Sequence, residues 1–217
     1  MTPLRILIVD DHAVVRRGLR SLLESQPDWE IAGEAATGRE AVGLAKRLKP
    51  DIIVMDLSLP ELNGLDATRQ ILKESPRSEV LVLTMHHSEE LARNVLQAGA
   101  RGYVLKSDAD QSLIAAIESL RQHKPFLTST VTEFVLDDYT RRAESPDGGG
   151  AYAAVTARER EIIQLLAEGR SNKEAASVLG ISVKTIEAHR ANIMRKLHLR
   201  SVSELVRYAV RNNIVQP

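Results

Sequence analysis

Five short, unbroken apolar runs, separated by helix-length segments, constrain this chain more than any other feature. They are Ile6–Val9, a weaker Ile31–Gly33, Ile52–Met55, Val80–Leu83 and Tyr103–Leu105. A strand with one wet face alternates apolar and polar residues. A continuous run fits a strand covered on both faces, as in a parallel sheet. The intervals carry apolar residues at helical spacing: Val15, Leu19, Leu22 and Leu23; Leu91, Val95 and Leu96; Leu113, Ile114, Ile117 and Leu120. Turn signals at Pro27-Asp28, Pro50-Asp51, Asn63-Gly64 and Pro76 separate them. Five β-then-α units in sequence predict an open parallel sheet with helices on both faces.

In such a sheet the ligand crevice lies beyond the carboxyl ends of the strands. Four of the runs end in polar residues: Asp10-Asp11, Asp56, Thr84 and Lys106. Adjacent aspartates at the edge of an apolar core repel each other and resist desolvation, so something must compensate them. Singly, Thr84 reads better as an ordinary strand residue and Lys106 as a solvated lysine, while the second aspartate could equally cap the next helix. Their convergence from separate strand ends favours a phosphate-and-metal site. Hard oxygen donors, with neither His nor Cys counted among them, favour Mg2+. Asp56 is then the nucleophile that takes a phosphoryl group, with Lys106 and the metal neutralising charge and Thr84 donating its hydroxyl.

The C-terminal part reads differently. From Thr156 onward the pattern is wholly helical, in segments 156–168, 172–179, 183–197 and 202–213, with Ser171, Ser182 and Ser201 as N-caps. The stretch "SNKEAASVLGISVKTIEAHRANIMRKL" reads as helix, tight turn, helix. Ala175, Ala176 and Leu179 form the packing face of the first helix; Ile186, Ile193 and Leu197 form that of the second, and Ile181 plugs the gap. The outer face of the second helix carries Lys184, Thr185, Glu187, Ala188, Arg190, Arg195 and Lys196, with His189 at its boundary. A helix-turn-helix lays this second helix in the DNA major groove. Between the two parts, Val131, Phe134, Val135 and Tyr139 share one face of a linker helix, and "ESPDGGGA" at 144–151 is a hinge by composition.

Charge follows the same division. Lysine and arginine equal aspartate and glutamate at 29 each in the whole chain, but residues 1–137 hold 16 basic and 20 acidic side chains, and residues 138–217 hold 13 and 9. Within residues 152–217 the numbers are 11 and 6, the basic residues gathering around the second helix. The absence of cysteine excludes disulfides and Cys-based zinc sites. No apolar run is long enough for a membrane span, and "MTPLRILIV" reads as a first strand rather than a signal peptide, so a cytoplasmic protein with no membrane partner is expected.

Residues 4–123 resemble the receiver domain of bacterial response regulators, on "LIVDDH", "VMDLSLPELNGL", "VLTM" and "GARGYVLK". The resemblance implies a flavodoxin-like α/β domain of five parallel strands in the order 2-1-3-4-5. It makes Asp56 the phosphoacceptor; Asp10, Asp11, Asp56 and the Ser58 carbonyl the Mg2+ ligands; Lys106 a phosphoryl contact; and Thr84 with Tyr103 the switch pair. Tyr103 is expected to turn inward as Thr84 moves, Pro60 and Gly64 fit the loop after the third strand, and His86-His87 fall at an exposed helix start. Residues 155–215 resemble the LuxR-type output domain, an all-α four-helix helix-turn-helix unit, on "VTARERE", "GRSNKEAASVLGISVKTIEAHRANIMRKL" and "SELVRYAVRNNIV"; Val155 stands where leucine is usual. It implies DNA contacts from Lys184, Thr185, His189, Arg190 and Lys196, a structural role for Glu187, and a last helix whose Val202, Leu205, Val206 and Ala209 serve the core or a dimer interface.

The whole is similar to the NarL/FixJ class of response regulators: a receiver at 1–123, a linker helix and hinge at 124–154, and an output domain at 155–217. Expected partners are a sensor histidine kinase, double-stranded DNA with a roughly palindromic site, and a second copy of the chain on activation. Two rivals stand beside this reading. One is a Mg2+-dependent phosphatase with an aspartyl intermediate, disfavoured by Ser58 two residues after Asp56 and by the lack of a cap domain. The other is a constitutive DNA binder whose receiver only dimerises. ATP hydrolysis is disfavoured because no Gly-rich Lys-Ser/Thr loop is present.

Overall fold

The computed structural model describes residues 2–85, 88–128, 131–132 and 155–215. They form two compact units. The first contains β1 (Leu4–Val9), α1 (Ala13–Glu24), β2 (Trp29–Ala35), α2 (Gly38–Leu48), β3 (Ile52–Asp56), α3 (Gly64–Glu74), β4 (Glu79–Thr84), α4 (Glu89–Gln97), β5 (Gly102–Leu105), α5 (Ala109–Arg121) and β6 (Phe126–Leu127). The sheet order is β2-β1-β3-β4-β5-β6, and every pairing is parallel.

Both faces of the sheet are covered, which explains the unbroken runs. Ile6, Ile8, Ile52, Val54, Leu81, Leu83 and Val104 pack with Leu19 and Leu23 of α1 and Leu113, Ile117 and Leu120 of α5. The alternate residues Leu7, Ile53, Met55 and Val82 face the other way and are equally buried. Every second strand residue therefore meets a helix instead of water. Val15, Leu22 and Ile114 of the expected stripes are only half-buried and sit at the rim of this core.

The sheet departs from expectation in one respect. A sixth strand, Phe126–Leu127, lies inside the segment assigned to the linker. The Phe126 amide donates to the Arg101 carbonyl at 2.9 Å, and Phe126 packs partly against the core. Two residues carry no periodicity, so this strand left no sequence signal. Of the expected linker-helix face only Val131 is described, and it is buried. Phe134, Val135, Tyr139, the hinge at 144–151 and His86-His87 lie outside the described residues.

The second unit has α6 (Ala157–Ala167), α7 (Asn172–Leu179), α8 (Val183–Lys196) and α9 (Val202–Arg211). Four side-chain caps fix where these helices begin. Thr156 with Glu159 and Ser171 with Glu174 form reciprocal capping boxes, and Ser182 and Ser201 accept from the Thr185 and Glu204 amides. Gly180 ends α7 at φ +63°, the left-handed conformation that favours glycine and turns the chain into α8. Ile162, Ile163, Ala175, Ala176, Leu179, Ile186, Ile193, Leu205 and Ala209 close one core, with Ile181 and Leu197 packed against it.

Candidate functional site

Strand register assembles the receiver crevice. Val9 pairs with Met55 and Asp56 with Leu83, so Asp10 and Asp56 leave neighbouring strands at the same level. Thr84, the last residue of β4, pairs with Leu105, and Lys106 follows immediately. From β5, Lys106 reaches across β4 to Asp56 at the end of β3, roughly two strand spacings or 9–10 Å, and also meets Asp10, which extends from β1 on the far side of β3. Its Nζ lies 2.6 Å from Asp10 Oδ2 and 3.0 Å from Asp56 Oδ2. The remaining oxygens are also engaged: Asp10 Oδ1 accepts from the His12 amide and Asp56 Oδ1 from the Leu57 amide, each at 2.8 Å.

Asp10 and Asp56 are 1% and 3% exposed, and Thr84 is fully buried. Burial pushes the Asp56 carboxyl above its ordinary value; Lys106 pulls it down, Asp10 repels it further, and the Ser58 backbone amide bonds the charged form. The net direction is upward. Burial alone would lower Lys106, but hydrogen bonds and charge from Asp10 and Asp56 outweigh it and hold the ammonium above the ordinary lysine value. The crevice is thus poised around one shared cation.

Asp11 is one-third exposed and does not cap α1, whose N-cap is His12. Donor atoms of Asp10, Asp11 and His12 lie within 4.8 Å of one another, and His12 Nδ1 is 2.7 Å from Asp11 Oδ1. Two carboxylates at this spacing, beside a third held by Lys106, suit a hard divalent cation. The His12 imidazole stands next to the acidic pair, a neighbour outside the expected ligand set. The signal was available, since "DDH" is contiguous. Gly64 is a second residue whose importance appears only in three dimensions. A Cβ there would overlap the Asp56 carbonyl oxygen and come within 2.9 Å of Leu57 Cα.

Tyr103 is already inward, 1% exposed, so the expected inward turn is not needed in this conformation. It pairs with Val82, two residues before Thr84, which puts the ring and Thr84 on the same side of the sheet. Burial pushes the Tyr103 hydroxyl up to about 12.

In the helical unit Lys184, Thr185 and Lys196 are exposed on the outer face of α8, while His189 and Arg190 are half-buried. Two are engaged at home: the Thr185 hydroxyl lies 2.8 Å from Ser182 Oγ, and Lys196 Nζ is 2.8 Å from Glu159 Oε2. Glu187 is exposed and forms no ion pair with another described residue, so no contact of the kind its expected structural role calls for is seen there. The last helix divides: Leu205 and Ala209 are core, Val206 is half-buried, and Val202 is 43% exposed. Arg170 and Lys173, absent from the sequence-based set, line a hollow of about 540 Å3 with Arg190, Val183 and Val202. They precede and open α7, one helix before the cations of α8.

Comparison with known proteins agrees with both units. Residues 6–118 match the response regulator receiver domain, and residues 153–209 match the bacterial regulatory proteins of the luxR family. The oxygen regulatory protein NreC of Staphylococcus epidermidis is 40% identical, over 98% of this chain and 100% of its own length. The chain is a two-component response regulator. Its output is a LuxR-type helix-turn-helix DNA-binding domain, and as a transcription regulator it is not a conventional enzyme. The phosphatase alternative is thereby set aside. Among solved structures, the RcsB response regulator of Salmonella typhimurium is similar at TM-score 0.63 and 26% identity, covering 98% of this regulator and 99% of that chain. A LuxR-family response regulator from Aurantimonas sp. SI85-9A1 is similar at TM-score 0.60 and 36% identity over 64% of this regulator and 99% of that chain. RcsB has also been solved bound to DNA, including as two dimers on two parallel DNAs. Among the described residues no helix is long and apolar enough to cross a membrane.

Proposed function

We propose that a sensor histidine kinase donates a phosphoryl group to Asp56 and that the modified receiver controls DNA binding by the output domain. The observation that carries this reading is the Lys106 ammonium shared between Asp10 and Asp56 at 2.6 and 3.0 Å. A carboxylate oxygen of Asp56 attacks phosphorus, the P–N bond of the donor phosphohistidine breaks, and the imidazole leaves with a proton from solvent. Lys106 then moves its charge from the Asp56 carboxylate to the new phosphoryl oxygens. Asp10, Asp11, Asp56 and the Ser58 carbonyl would hold Mg2+, which would neutralise charge at the transferring phosphoryl group. Thr84 hydrogen-bonds the phosphoryl group, and its movement biases packing against Tyr103 on β5.

In the output domain Lys184 and Thr185 meet base edges or the phosphates lining the groove, while His189, Arg190 and Lys196 meet phosphates; Arg170 and Lys173 extend that set. Two copies, with Val202 and Val206 of α9 available for pairing, would read half-sites about one helical turn apart in a roughly palindromic duplex. The setting is the cytoplasm, and the domains are drawn at 1–123, 124–154 and 155–217, the first extended by β6.

The test is selection of binding duplexes from a random library with and without acetyl phosphate, followed by affinity measurement on the recovered duplex. Tighter binding and a dimer on the phosphorylated chain, lost in Asp56→Asn, support the proposal. Equal affinity in every state favours the constitutive binder with a purely dimerising receiver.

A further inference from the structure

The β1–α1 loop is three residues long and carries the acidic pair. β1 ends at Val9, so the Asp10 carbonyl lies beyond the strand ladder and needs a partner of its own. The Asp10 amide donates to Ala35 O of β2 at 3.2 Å. The Asp10 carbonyl accepts from Arg16 Nη1 at 2.7 Å, from the first turns of α1. Arg16 is held in turn: its Nε donates to Glu34 Oε2 of β2 at 3.3 Å. The other Glu34 oxygen is held by Arg20 Nε at 2.6 Å, and Arg20 also pairs with Glu24. Asp10 is thus gripped from β2 on one side and through α1 on the other, by groups that are no part of the phosphoacceptor chemistry.

We propose that Arg16, oriented by Glu34, is a positioning residue for the acidic pair: by fixing the Asp10 carbonyl it sets how the Asp10 and Asp11 carboxylates meet a divalent cation. The proposal rests on reading Asp10 and Asp11 as cation ligands. Groups outside the ligand shell that orient ligands change metal affinity substantially, and a planar guanidinium bonds carbonyl and carboxylate through separate nitrogens in a fixed geometry that a lysine ammonium does not reproduce.

Charge alone predicts the opposite behaviour. Removing Arg16 takes a positive charge from beside a cation site and leaves Glu34 still paired with Arg20, so electrostatics would tighten cation binding. Arg20 supplies the control, because it touches Glu34 but not Asp10.

The experiment titrates the full chain with Mn2+, reading the free ion by electron paramagnetic resonance, with thermal midpoints taken in chelator on the same samples. Arg16→Gln is expected to weaken Mn2+ binding roughly tenfold. Arg16→Lys, which preserves the charge, is expected to weaken it less but measurably, and Arg20→Gln to leave it unchanged. Unchanged or tighter binding in both Arg16 variants overturns the proposal, as does an equal loss in Arg20→Gln. No Mn2+ binding by the unaltered chain overturns the underlying reading of the acidic pair instead.

Discussion

At the scale of single residues, the crevice holds Asp56 at a cost to stability. Its carboxyl is raised above the ordinary value chiefly by burial, so folding shifts it toward the neutral form relative to the unfolded chain. A group with a raised folded-state value contributes fully below its unfolded value, and that contribution is lost as pH rises through the folded value. At neutral pH the ionised Asp56 therefore destabilises the metal-free fold. Asp56→Asn should raise the thermal midpoint in chelator at pH 7, and the gain should vanish as the buffer is taken down through the carboxylate range. A midpoint lowered at pH 7 would mean that the Lys106 pairing outweighs burial. Tyr103 gives the matching prediction in base. Its hydroxyl titrates near 10 in the unfolded chain and near 12 in the folded one, so stability is complete below pH 10 and falls by about 2–3 kcal/mol toward pH 12. Alkaline unfolding curves of Tyr103→Phe should lack that component.

Elements bring these residues together, and at this scale Gly64 is the sharpest constraint. α3 begins directly against the backbone of Asp56, with the Gly64 amide donating to the Leu57 carbonyl at 3.0 Å. Gly64→Ala should cost about 1–3 kcal/mol in denaturant unfolding, because backbone rather than a flexible side chain must give way. Phosphorylation should fall with it, as Asp56 shifts. The contrast explains what could be read from the chain beforehand. Runs four residues long and caps at Ser171, Ser182 and Ser201 are local, and their physics is written in adjacent residues. The crevice was legible because each of the four strand ends that build it is marked by a polar residue next to its run. The β6 pairing, the grip of Arg16 on Asp10 and the Lys196–Glu159 ion pair each join residues at least 6 positions apart without any period. Nothing local announces them.

For the whole molecule, the two units divide the labour between an acidic receiver crevice and a cationic helix. Their cations should not weigh equally on DNA. Lys184 is exposed, whereas Lys196 must give up Glu159 before it can neutralise a phosphate. Lys184→Gln should therefore reduce the slope of log affinity against log salt by about 0.9, the value for one lost phosphate contact. Lys196→Gln should reduce it by less, because part of its charge is already compensated. Equal slopes for the two variants would show that the Glu159 pair opens at no cost on DNA.

On the function proposed, Asp56, beside Lys106 and the acidic pair, accepts the phosphoryl group. Intact-mass spectrometry after incubation with acetyl phosphate and Mg2+ tests it most directly, with Asp56→Asn and a chelator as controls and peptide mapping of any adduct. A single phosphoryl adduct on Asp56 that disappears in both controls is the expected result. An adduct that persists in Asp56→Asn or without divalent metal would contradict it.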